Sequence, residues 1–190
     1  KTFTAKNTTE VTLQEVNSYP KTTCDGNFST KLLIRNNGSN NLTKLGIDYT
    51  VNSGTATSTT WTGNLDFMES TEIDLPISYS PTSADDIKVT IKNPNDILDP
   101  LTSNDFKEFQ MKKASSYQNY LFVTIQLDSK PQETSWEIIN NKTGDVVTGG
   151  GPYFGQGGDK IEKLVVLENT KCYDFKVYDS SGDGFKSGSF

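Results

Sequence analysis

The chain has 190 residues, 33% of them hydrophobic and 22% charged, enough for one large or two small domains with buried cores. Its 18 basic and 24 acidic residues give a net charge of −6 with the basic ones scattered, which argues against a nucleic-acid partner, and no apolar run approaches the ~20 residues that span a bilayer. Histidine is absent, which removes Ser-His-Asp and Cys-His nucleophilic chemistry, imidazole acid–base catalysis and every His-containing zinc site.

Alternation with period two dominates from the start, and no long stretch carries a helical stripe. Val11, Leu13 and Val16 mark a first strand, and Phe28 to Ile34 a second that ends at the turn signal Asn36–Asn41, "NNGSNN". Leu45, Ile47, Tyr49 and Val51 alternate with Lys44, Gly46, Asp48 and Thr50 before "VNSG" breaks the strand, because Asn and Gly tolerate positive φ. Further strands are predicted at Thr57–Thr62, Thr71–Pro76, Asp86–Lys92 and Asp105–Met111. About seven short strands in roughly a hundred residues is the spacing of an immunoglobulin-like sandwich. Trp61 is expected to plug it.

The polar stretch Lys112–Asn119 is read as the boundary, dividing the chain into 1–113 and 114–190. In the second part Leu121, Val123, Ile125 and Leu127 face one way, while Phe122, Thr124 and Gln126 face the other. Thr134–Ile139 and Asp145–Thr148 flank "NNKTG", a hairpin connection, and Glu162–Leu167 and Cys172–Tyr178 complete the strands. The fold class is therefore all-β: two consecutive β-sandwich domains, the first immunoglobulin-like, the second jelly-roll-like. The second is expected to be truncated, with a strand partner for Phe185–Phe190 lying downstream.

The order of motifs resembles a known group. "KLLIRNNGSNNLTKLGIDYTVNSGTATSTTWTGNL" and "IKNPNDILDPLTSNDF" are similar to the immunoglobulin-like domain of Bacteroidetes-type secreted surface proteins. "PQETSWEIINNKTGDVVTGGGPY" followed by "KCYDFKVYDSSGDGF" resembles the module that follows it in outer-membrane-protein-like and peptidase-associated cargo of type IX secretion. The resemblance implies an extracellular or outer-membrane-surface location on a bacterium, and a neighbouring domain of the same precursor as partner. Members of the group carry cysteines soon after GDG, and "FKSGSF" has none. No relative's enzymatic activity is carried over, because no catalytic motif accompanies the resemblance.

Three features invite a functional reading. In "YDSSGDGF", Asp179, Ser181 and Asp183 alternate along a loop with Gly184 closing it, the spacing that converges oxygens on calcium. The twelfth position of an EF-hand would be Phe190, not a glutamate, so any site here is a β-sandwich loop. Its further ligands would come from the carbonyl of Phe185 and from Asp174, Glu133 or Asp159. The same residues also build a plain turn, in which the aspartates bond backbone amides. Secondly, "GGGPYFGQGG" (149–158) presents Tyr153 and Phe154, with Trp136, to a sugar or peptide, or else folds these aromatics onto the sheet. Thirdly, Cys24 and Cys172 are either buried thiols or one bridge. The sequons at Asn7, Asn27, Asn37, Asn41 and Asn141 are read as polar turns.

These readings rank a non-catalytic accessory or adhesion module with a structural calcium first. A carbohydrate-binding module comes second, and a carboxylate-dependent hydrolase third. A polysaccharide or a surface protein is the expected ligand of such a module.

Overall fold

The computed structural model describes residues 4–116, 119–168, 170–184 and 189. The chain forms two compact units, Lys1–Ser115 and Ser116–Phe190. Both are all-β, apart from short 3-10 turns at Pro94–Asp96, Thr102–Asn104 and Pro131–Glu133.

The first unit runs through β1 (Val11–Asn17), β2 (Thr22–Thr23), β3 (Asn27–Asn36), β4 (Leu42–Val51), β5 (Thr57–Leu65), β6 (Ser70–Ser78), β7 (Asp85–Lys92) and β8 (Phe106–Lys113). Strands β1-β3-β6 form one sheet and β2-β8-β7-β4-β5 the other. All neighbours are antiparallel except the short β2, which runs parallel to β8. Alternation does the sorting. In β7, Ile87, Val89 and Ile91 are sealed while Lys88, Thr90 and Lys92 reach outward. With Leu13, Leu32, Ile34, Leu45, Ile47 and Leu75 they make one core from both sheets, the arrangement of a sandwich. The irregular spacing of Val11, Leu13 and Val16 has a cause: the register shifts between Leu13 and Glu15, a bulge that turns Val16 back toward the core.

Trp61 is not the plug expected of it. It lies on β5, partly buried, packed against the core from its margin with its ring over Gly63. A true hub sits in the "NNGSNN" turn instead. Asn36, 1% exposed, donates from Nδ2 to the carbonyls of Asn40 and Leu65 and accepts the Gly38 amide on Oδ1. A Cβ on Gly38 would stand 2.7 Å from the Thr8 carbonyl oxygen, so only glycine fits there.

The second unit contains β9 (Tyr120–Gln126), β10 (Thr134–Asn140), β11 (Val146–Gly150), β12 (Lys160–Val166) and β13 (Tyr173–Asp179). Strands β12-β9 form a pair and β11-β10-β13 a three-stranded sheet. Val123, Ile125, Leu127, Trp136, Ile138 and Val165 close the core between them. Of the segment Phe185–Phe190, for which a downstream strand partner was expected, only Ser189 is among the described residues, and it exchanges both backbone hydrogen bonds with Gln126 of β9.

Candidate functional site

Register, not sequence proximity, builds the acidic site. Thr134 at the start of β10 pairs with Asp179 at the end of β13. The residue before Thr134 and the loop after Asp179 therefore emerge side by side. The Ser180 amide bonds the Glu133 carbonyl at 3.0 Å, which continues the ladder into the loop. As a result carboxylate oxygens of Glu133, Asp179 and Asp183 all lie within 4.8 Å of one another, the group of three such residues found among those described.

Each member has a defined partner. Asp179 accepts the Ser181 amide on Oδ1 at 3.1 Å and the Gly184 amide on Oδ2 at 2.6 Å, so it does build the turn. Asp183 accepts the Lys130 ammonium at 3.0 Å, and Glu133 lies 3.6 Å from the same nitrogen. Hydrogen bonding to Asp183, with the charges of Asp183 and Glu133, raises the Lys130 pKa above its ordinary value. Two of the three carboxylates thus share one flexible ammonium, while Asp179 is held by backbone amides.

Of the further ligands anticipated, Glu133 is present in the group. Asp174 sits at the opposite end of β13, where Asn141 donates to it, and Asp159 does not join the three. Ser181 contributes its backbone amide to Asp179, and Phe185 lies outside the described residues. Lys130 was not anticipated. It stands 53 residues from Asp183, and nothing local in the sequence marks it.

The three aromatics do not make one platform. Trp136 is 2% exposed, a core residue whose Nε1 donates to the Tyr153 hydroxyl at 2.7 Å. Tyr153 packs against the same core, and only Phe154, 74% exposed, faces solvent. The glycines of "GGGPYFGQGG" explain this placement. Gly149 and Gly150 belong to β11, and a Cβ on Gly150 would meet the Tyr153 hydroxyl at 2.3 Å and Trp136 Nε1 at 2.7 Å. A larger exposed apolar surface lies elsewhere, on the outer face of β9 and β12. There Phe122 pairs with Leu164 and Tyr120 with Val166, all four exposed.

Cavities on the first unit include two lined by described residues. One, of about 320 Å³, is lined in part by Glu10, Asn37, Leu101 and Asn104. The other, of about 460 Å³, is lined by Asp86, Lys88, Glu108 and Gln110 among others, but Asp86 accepts the Gln110 amide and Glu108 pairs with Lys88. Next to the first cavity, burial, reinforced by Asp99 and Glu10, pushes the Asp105 carboxyl up to about 7.

Both cysteines are disulfide-bonded, so neither is a buried thiol. Disulfides persist in oxidising compartments, which is compatible with a non-cytoplasmic location. No helix among the described residues is long and apolar enough to cross a membrane.

No protein-family model matches the chain, and no curated protein matches it. Among solved structures it is similar to the CARDB domain of the PF1109 protein from Pyrococcus furiosus, whose crystal structure is described as a complex with di-metal ions. The identity is 16% and the TM-score 0.46, over 60% of this chain and 95% of that one. The solution structure of the same domain gives 16% and 0.45, over 57% and 97%. A likeness at this level carries no argument about function, and the di-metal ions belong to that protein.

Proposed function

We propose that the chain is a non-catalytic accessory module of a secreted or cell-surface protein, a spacer or docking unit whose second sandwich is braced by calcium. The convergence of Glu133, Asp179 and Asp183 on one another, with a single ammonium touching two of them, carries this reading. Three negative charges against one positive leave a deficit, and their oxygens are the hard donors calcium prefers. A lysine on a flexible stem is a weak resident counter-ion and yields to a divalent one.

The absence of histidine and the turn setting of the acids favour bracing over catalysis. A glycosidase needs two carboxyls facing each other across a cleft, whereas the acids lining the larger cavity are tied to Gln110 and Lys88. The resemblance to Bacteroidetes-type surface proteins supports a bacterial cell-surface setting, with a neighbouring domain of the precursor as partner. The exposed face of Tyr120, Phe122, Leu164 and Val166 is the surface that such a partner would cover. A carbohydrate-binding role would rest on Phe154 alone and ranks second.

Calcium added to chelator-stripped protein is expected to raise the melting temperature. Stabilisation should reach about 2.7 kcal/mol once free calcium is roughly a hundredfold above Kd. Asp183→Asn should abolish the part of the response due to this loop. Lys130→Met should strengthen it, because the competing ammonium is gone. If neither substitution alters the response, the loop is a turn and nothing more.

A further inference from the structure

Without histidine, the chain lacks the side chain that ordinarily changes charge near neutral pH. The first sandwich holds a group placed to do so. Glu10, just before β1, and Asp99 and Asp105, in the connection from β7 to β8, are each 4% exposed. Carboxylates are rarely buried unless paired. Among the described residues no ion pair reaches these three. Lys88 and Lys92 of β7 are engaged with Glu108 and Asp48, and Arg35 of β3 is turned to Met68. The exposed Lys6 and Lys107 bridge to none of the three acids.

Hydrogen bonds set one of the acids apart. Asp99 accepts the Val11 amide on Oδ2 at 2.8 Å and the Leu101 amide on Oδ1 at 2.9 Å. Glu10 Oε1 accepts the Thr12 hydroxyl and the Asn104 side-chain amide, at 3.2 and 2.8 Å. Asp105 Oδ1 is buried and has no hydrogen-bond partner. The charges acting on Asp105 are those of Asp99 and Glu10, and both are negative. An orphaned buried acceptor requires a physical explanation. On a carboxyl group a bound proton supplies it, because it removes a charge that nothing nearby solvates. Burial above all, then the two acidic neighbours, favours this neutral form and lifts the Asp105 titration to about 7.

The position of Asp105 gives that proton a structural consequence. Its main-chain carbonyl accepts the Ile91 amide at 2.8 Å, which ties the connection to β7. Asp99 and Asn104 tie the same connection to Val11, Glu10 and Thr12 at the start of β1. A charge arising on Asp105 therefore pushes against acids on both sides of one seam. We propose that Asp105 is a proton-dependent latch of the first sandwich: protonated, it lets the β7–β8 connection close against the start of β1, and ionised, it repels Glu10 and Asp99 and loosens that seam. Because the folded value lies above the unfolded one of about 3.8, the latch contributes fully below pH 3.8 and is lost as pH rises to about 7. The module then holds tightest in mildly acidic surroundings and relaxes near neutrality.

Urea unfolding of the full chain between pH 4 and pH 8 tests this by comparing wild type with Asp105→Asn, which keeps the side-chain shape and cannot ionise. The ratio of folding constants, variant over wild type, is expected to rise about tenfold per pH unit up to about 7 and to stay level above it. A ratio independent of pH would overturn the proposal. Should Asp105→Asn fail to fold, carboxyl-carbon NMR of the wild type decides. One aspartate titrating near pH 7 supports the latch, and every aspartate titrating near the ordinary value of about 3.9 overturns it. Amide hydrogen exchange, corrected for its intrinsic pH dependence, reads the loosening itself. The Val11 and Ile91 amides are expected to lose protection between pH 5 and pH 8 in wild type and to keep it in Asp105→Asn. Equal protection of both proteins at pH 8 would overturn the latch.

Discussion

Trp136→Ala should lower stability by about 3–5 kcal/mol, while Phe154→Ala should change it by about 0.5 kcal/mol or less. The indole is 2% exposed and sits among Val123, Ile125, Ile138 and Val165. Truncation would leave a cavity in a small core, and it would also strip the Tyr153 hydroxyl of the Nε1 donor it accepts. A Cβ on Gly150 would strike both members of this pair, so the position requires glycine. Phe154 has no such role at 74% exposure. Urea unfolding followed by far-ultraviolet circular dichroism reads both values. Phe154→Ala is then the clean probe for sugar binding: unchanged retardation on polysaccharide gels would end the carbohydrate reading. Equal destabilisation by the two substitutions would contradict the core assignment of Trp136.

Asp85→Ala should cost about 2–4 kcal/mol at neutral pH, and the deficit should shrink in acid. Asp85 is 1% exposed at the start of β7. It accepts the Thr82 amide at 2.8 Å, the Thr82 hydroxyl, and the Asn52 side-chain amide at 2.8 Å. Burial works to raise its pKa, but these hydrogen bonds outweigh it and hold the carboxyl below its ordinary value. A depressed carboxylate contributes stability that is complete above the unfolded value of about 3.8 and is lost as pH falls through the lower folded one. Wild type and Asp85→Ala should therefore differ most at pH 7 and converge well below pH 4. A constant gap across that range would mean that Asp85 acts by packing alone.

Most strands were legible because one face of each is buried, and alternation of apolar and polar residues is the direct record of that burial. Strand β7 is the clearest case: Ile87, Val89 and Ile91 each read inward from the sequence and each is sealed. The two-residue β2 was invisible, since two threonines carry no period. The aromatics of the glycine-rich stretch were ambiguous for a different reason. A tryptophan has the same composition in a core as on a binding face, and only the Gly150 backbone, by leaving room, decides which it is.

The acids divide in the same way. The spacing of Asp179, Ser181 and Asp183 announced a loop rich in oxygen, and local geometry suffices for that. Which of the 24 acidic residues would meet another was not written locally. Glu133 joins that loop through the register of β10 against β13, and Glu10 comes near Asp105 only because β1 and the β7–β8 connection end at the same edge of one sandwich. The amino-acid order alone determined an all-β chain without imidazole chemistry, since periodicity and composition are local properties. Its charge clusters were decided by tertiary structure alone, because they depend on strand pairings between segments far apart in the chain.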